Sequence, residues 1–314
     1  MTTTGKRLFK GLFIIALVLL VVGIVIGAIG SSFTGGEPFV PKPEVSLKPE
    51  PVLNADAEHM EETHQLPSGF VVTNTLLSCW IASILLILFL WRGARSIRAN
   101  QAPRGLANVV EAIIEAMFGF VEGVAGHANA RKFFPLFATI FLFVLFNAWL
   151  GLLPIYPSLG ALDEHGEIKR HLLRPAGTDL NMPLALALVS FVFVEFWGIR
   201  TVGLGYFGKF FQFSALLKGK LFQGFVDLFV GFLELLSELI RLVSFTFRLF
   251  GNMTAGEILL LVIGFLFPFS LGIIFFGLEL FVGFVQALVF SGLTLVFVVM
   301  AVQAHEGEEK DGAH

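Results

Sequence analysis

The stretch FRLFGNMTAGE, residues 247–257, places Arg248 and Glu257 in a strongly apolar part of the chain. From Ile258 to Ala304 the only charged residue is Glu279. A charge held at mid-membrane costs from about 3 to over 10 kcal/mol, so groups of this kind face protein or water and mark function. The chain as a whole is 56% hydrophobic and 14% charged, where a soluble domain carries about a quarter charged residues. No run of about ten residues alternates with period two, which argues against a transmembrane barrel. The single cysteine, Cys79, excludes a disulfide framework and a cysteine metal site. The fold class is therefore all-α and polytopic, with about five to six membrane segments.

Working back toward the N-terminus, the run Gly11–Gly30 has no charge and follows Lys6, Arg7 and Lys10. It reads as a signal segment or as a first spanning helix, and an uncleaved anchor is the expectation. Residues 31–68 are rich in Pro and Glu and read as an extended, solvated linker. His59 and His64 lie in it among acids, and a solvated loop is expected there rather than a metal site. The next spans are Phe70–Trp91, Phe133–Tyr156 and Leu180–Ile199, with a polar loop at 157–179. Residues 104–127 carry Asn108, Glu111, Glu115 and Glu122 on one helical face. Val109, Val110, Ile113, Ile114, Met117 and Val121 occupy the other, so this segment is expected to lie on the membrane surface. Three parts follow: an N-terminal anchor or signal with its linker (1–69), a membrane domain (70–304) and an acidic tail (305–314).

Lys and Arg set the orientation. With the N-terminus inside, the outside segments hold only Lys42, Lys48, Lys169, Arg170 and Arg174. Both termini are then cytoplasmic. The last two apolar stretches, about 221–266 and 270–304, are too long to stand upright. Helices of that length measure about 69 and 52 Å, against a hydrocarbon core of about 30 Å. Strong tilt or bending is expected, with Pro268 dividing the pair.

On the first of these stretches Glu234, Ser237, Glu238, Arg241, Ser244, Arg248 and Asn252 share one stripe about 120° wide and about 27 Å long. Glu257 falls nearly opposite. Glu238 and Glu234 stand at i−3 and i−7 from Arg241, which a structural salt bridge explains. No acid lies three or four residues from Arg248, so its partner must come from another helix or another subunit. Glu279 and Gln286 are seven apart and share a face, with Gly283 between them, where a small residue lets helices approach closely. An antiparallel pair would place Glu279 near Glu257 and Gln286 near Arg248.

With these residues in view, the chain resembles subunit a of the F-type ATP synthases. RLFGNMTAGE matches that family's signature, and FNAWLGLLP at 146–154, PAGTDLNMPLALAL at 175–188 and Gln286 extend the resemblance over about 70–304. The resemblance implies a stator that conducts protons to the carboxylates of a rotating ring of c subunits through two offset half-channels. Arg248 is then the arginine that separates them. Asn252, Glu257, Glu279 and Gln286 map to the outer half-channel, and Glu234 with Ser244 to the inner one. It also implies peripheral-stalk b subunits and other ATP synthase subunits as partners, a bacterial inner membrane location, and ATP synthesis driven by hydrogen ion transport. One departure is that the family often pairs a histidine with an acid where this chain has Glu257 and Glu279, which leaves sodium coupling open. Two close acids would raise one pKa.

The chain has no P-loop motif, so it is not expected to be an enzyme by itself, and no cofactor, metal or nucleic-acid partner is expected. The competing reading is a self-contained secondary transporter or channel. Such proteins show two related halves with matching broken helices, whereas the polar residues here concentrate in the last third.

Overall fold

In the computed structural model, residues 3–35, 40, 49–53, 71–97, 105–162, 168–209, 221–268 and 271–303 are described. The chain runs α1 (Thr3–Ile26), α2 (Ala28–Thr34), β1 (Pro51–Leu53), β2 (Val72–Thr73), α3 (Asn74–Ile97), α4 (Leu106–Ala125), α5 (His127–Gly151) and α6 (Ile155–Ser158). It continues with β3 (Gly160–Leu162), β4 (Ile168–His171), a 3-10 turn (Ala176–Thr178), α7 (Asn181–Val202), a second 3-10 turn (Gly203–Lys209), α8 (Leu221–Leu266) and α9 (Leu271–Gln303). The only sheets among the described residues are two antiparallel pairs, β1 with β2 and β3 with β4. This is an all-α polytopic architecture: five helices are long and apolar enough to cross a membrane, and a shorter apolar helix spans Lys10–Ile26.

Several elements differ from the sequence expectation. Helix α2, Ala28–Thr34, carries helical structure into Ser31–Thr34, where an extended linker is expected, and the Ser31 and Ser32 hydroxyls donate back to the Ala28 carbonyl at 3.0 and 2.7 Å. The loop at 157–179 contains the β3–β4 hairpin and a 3-10 turn. Helix α3 continues past Trp91, where the Arg95 guanidinium lies 4.7 Å from the Trp91 ring centre and gives the extra turn a cation–π contact. His59 and His64 lie outside the described residues.

The chain divides into two compact units. The first comprises residues 1–77, 148–178 and 251–284. Here α1 packs on the end of α8. A Cβ added at Gly23 would strike the Pro268 carbonyl, and one at Gly27 would come within 2.5 Å of the Leu266 carbonyl oxygen. The first turn of α3 is tied down by Asn74, which is almost fully buried. Its side chain accepts from the Glu50 amide at 3.2 Å and donates to the His171 carbonyl at 3.3 Å.

The second unit comprises residues 78–147, 179–250 and 285–314. Its core is aromatic and aliphatic: Phe133 meets Trp197 edge-on at 5.3 Å and Phe245 meets Phe290 at 5.0 Å. Ser190 on α7 and Thr294 on α9, both buried, are hydrogen-bonded across the helices at 2.7 Å. Helix α4 belongs to this unit. It buries Ala107, Val110, Met117, Val121 and Ala125 and leaves Asn108, Glu111 and Glu115 exposed, with Glu122 half-exposed. Val109, expected on the apolar face, is 49% exposed. The buried stripe runs through the small residues Ala107 and Ala125 instead, since close approach selects small side chains. Gly126, at φ 74°, turns the chain from α4 into α5, a backbone conformation that favours glycine.

Candidate functional site

In the second unit, α8 is anchored by Phe245, Thr246 and Leu249, all buried, with Leu249 at 0% exposure. Phe245 packs on Phe290 at 5.0 Å and Phe297 at 5.9 Å. That anchor divides the polar stripe. Glu234, Ser237, Ser244 and Arg248 point away from it and are exposed. Glu238 is buried because it sits on the edge of the stripe nearest the anchor, and Arg241 is half-buried because its guanidinium turns to Glu238, Glu195 and the Phe297 ring.

The two arginines of this stripe have different surroundings. Arg241 forms an ion pair with Glu238 on its own helix and approaches Glu195 of α7 at 3.8 Å. Its guanidinium also lies 4.4 Å from the Phe297 ring centre. The i+3 pairing expected from the sequence is present, and the second acid is Glu195, not Glu234. Tyr206, 2% exposed, joins this network. Burial, followed by the neighbouring negative charge of Glu195 and its hydrogen bond, pushes the Tyr206 hydroxyl above its ordinary pKa. Arg248 has no ion pair among the described residues, and its nearest aromatic contact is the Phe245 ring at 5.9 Å. Gln286 is buried on α9 in the same unit.

In the first unit, Asn252 is exposed and Glu257 half-buried. Glu257 is held by Arg174, whose Nη2 donates to its Oε2 at 2.9 Å. By sequence Arg174 is one of the loop cations, with nothing local to pair it with Glu257. Its one available signal was a cation immediately ahead of the PAGTDLN segment. Glu279 is buried, and its carboxyl lies against the Gly256 backbone so closely that any Cβ there would collide with it. Glu279 is therefore next to Glu257, as an antiparallel pair predicts, but Glu257 turns to the cation. Gly283 also does what its size suggests, since a Cβ added there would lie 3.0 Å from the Ala148 Cβ. Beside it, Trp149 Nε1 donates to the Leu280 carbonyl at 3.0 Å.

Among the described residues no group of three His, Cys, Asp or Glu side chains is arranged to hold a metal ion. The arrangement comprises one uncompensated cation on an exposed helix face, a cluster of carboxylates paired to Arg241, and a second carboxylate pair with one guanidinium. These are means of moving and holding charge.

The profile of the ATP synthase A chain family matches residues 76–299. ATP synthase subunit a of Gloeobacter violaceus is 33% identical over 261 residues, covering 83% of this chain and 96% of that protein. ATP synthase subunit a of Helicobacter pylori strain P12 is 32% identical over 251 residues, 80% of this chain and 96% of that one. The Helicobacter acinonychis protein of the same name is 31% identical over 251 residues, with the same coverage.

Proposed function

The chain belongs to the ATP synthase A chain family, and from that premise we propose that it is the proton-conducting stator of a rotary ATP synthase. As a member of that family it is a multi-pass membrane subunit of the proton-translocating sector and fits a non-catalytic role. In the finer reading, Arg248 meets the carboxylate of each c subunit as the ring turns. Glu234 and Ser244 serve the inner half-channel, and Asn252, Glu257, Glu279 and Gln286 the outer one. Peripheral-stalk b subunits hold the chain still in a bacterial inner membrane, with its C-terminus cytoplasmic.

The observation that carries this reading is the contrast between the two arginines of α8. Arg241 has acids from two helices. Arg248 is exposed and has no ion pair among the described residues. A permanently protonated guanidinium on an open face suits a carboxylate that arrives from another subunit. When that carboxylate comes within about 4–6 Å, the cation favours its ionised form and drives its proton out. The same charge repels a proton attempting to pass directly from one half-channel to the other.

The test is purification followed by transport. The chain is expected to copurify with a ring of small hairpin subunits, which a self-contained transporter would not do. Arg248→Ala is expected to abolish ATP-driven proton pumping in reconstituted vesicles at matched assembly. Normal coupled pumping by that variant would overturn the stator reading.

A further inference from the structure

We infer that Arg174 is a positioning residue that takes Glu257 out of proton exchange and leaves Glu279 as the protonatable group of the outer half-channel. The inference rests on the stator reading and deepens it. Three elements of the first unit bring their charges together. The segment after β4 supplies Arg174, α8 supplies Glu257, and α9 supplies Glu279 across the Gly256 backbone. The other titratable side chains described on the elements of this unit are His171, exposed beside β4, Tyr156, buried on α6, Glu50 ahead of β1, and Lys10, exposed on α1, while the buried Asp179 follows directly on Thr178 in the chain.

Arg174 is held in place by its own segment. Pro175 sits over Gly151, where an added Cβ would come within 2.8 Å of the Pro175 Cβ. Gly177 seats against Met253 of α8, with the Met253 Cγ 2.7 Å from an added Cβ. The Thr178 amide and hydroxyl both donate to the Pro175 carbonyl, at 3.1 and 2.8 Å. The guanidinium so fixed is only 10% exposed, and it donates to Glu257 at 2.9 Å. No hydrogen bond or ion pair involves Glu279 among the described residues, and that carboxyl is buried. The cation is thus paired with Glu257, and Glu279 is the neighbouring carboxyl without an ion pair among the described residues. Proton uptake is the transfer of a proton from hydronium in the outer half-channel to a Glu279 carboxylate oxygen, releasing water. Glu257 stays an acceptor for Arg174 throughout.

The experiment compares the pH profile of ATP-driven pumping, in vesicles holding the whole complex, for R174Q, R174K, E257Q, E279Q and the double variant R174Q/E257Q. R174Q leaves two neighbouring carboxylates uncompensated, so its profile is expected to move to higher pH by about one unit or more. E257Q removes one of the two neighbouring negative charges and keeps the cation, so it is expected to move the profile to lower pH. The double variant restores charge balance and is expected to return the profile to the wild-type position. R174K, which keeps the charge, should move it less than R174Q, and E279Q should lose pumping. A purely structural pair would lower assembly and rate without moving the profile, and unshifted profiles in E257Q and the double variant would overturn the assignment even if R174Q failed to assemble. Loss of pumping in E257Q as complete as in E279Q would also overturn it. Either result with Arg248 still essential would remove only this assignment; normal pumping by Arg248→Ala would remove the stator reading itself.

Discussion

Arg248 and Leu249 are consecutive residues with opposite environments: Leu249 is fully buried, and Arg248 is exposed. A helix turns about 100° per residue, so one buried leucine is enough to aim the arginine outward. Leu249→Ala would remove that anchor and leave a cavity, at about 2–5 kcal/mol. The expected outcome is lower assembly, measured as the amount of subunit retained in the purified complex, and partial uncoupling of ATP hydrolysis from pumping.

The identity of the outward cation matters as much as its charge. Arg248→Lys is expected to reduce coupled pumping severely, because an ammonium lacks the planar fork and loses its proton when desolvated. Pumping and passive proton permeability of the vesicles, compared with wild type at equal assembly, measure the effect. Near-normal pumping by the lysine variant would show that any cation suffices.

Arg241→Ala should act on stability. It removes the cation shared by Glu238 and Glu195, and stranding buried charges of this kind costs about 3–5 kcal/mol. Assembly is expected to fall, while the complexes that do form pump far better than those of Arg248→Ala. Glu195→Gln combined with Glu238→Gln in the Arg241→Ala background should recover assembly, since no stranded charge remains. Subunit yield after solubilisation is the readout.

Tyr206 gives a pH dependence whose sign can be worked out. Its folded-state pKa is raised, chiefly by burial, above the ordinary value of about 10. The folded state then holds the phenol proton more tightly than the unfolded state. Its contribution is fully present below about pH 10 and is lost as pH rises through the folded-state value. Tyr206→Phe is expected to flatten the loss of thermal stability at strongly alkaline pH, followed by melting the purified complex across that range.

Gly256→Ala tests the close approach of Glu279. Any Cβ at this position meets the Glu279 carboxyl, so the substitution is expected to displace that side chain and cut pumping at least tenfold. Gly264→Ala, with nothing within 4 Å of an added Cβ, is the control and should pump normally.

Periodicity and composition were sufficient for much of this protein. Long apolar runs identify the spanning helices because a bilayer core demands about twenty residues with every backbone group satisfied internally. The bounds of α8 coincide with the apolar run itself. The polar stripe containing Glu234, Ser244 and Arg248 follows from helical spacing alone, as does the absence of a local partner for Arg248. Tertiary packing decided which members of that stripe turn inward. Glu238 and Arg241 do so because Phe245 and Leu249 anchor the adjacent face and α7 brings Glu195. Packing also decided that Glu257 belongs to Arg174, 83 residues earlier in the chain. Helical spacing relates only residues a few positions apart, and an ion pair across that separation exists only once the segment after β4 has been folded against α8.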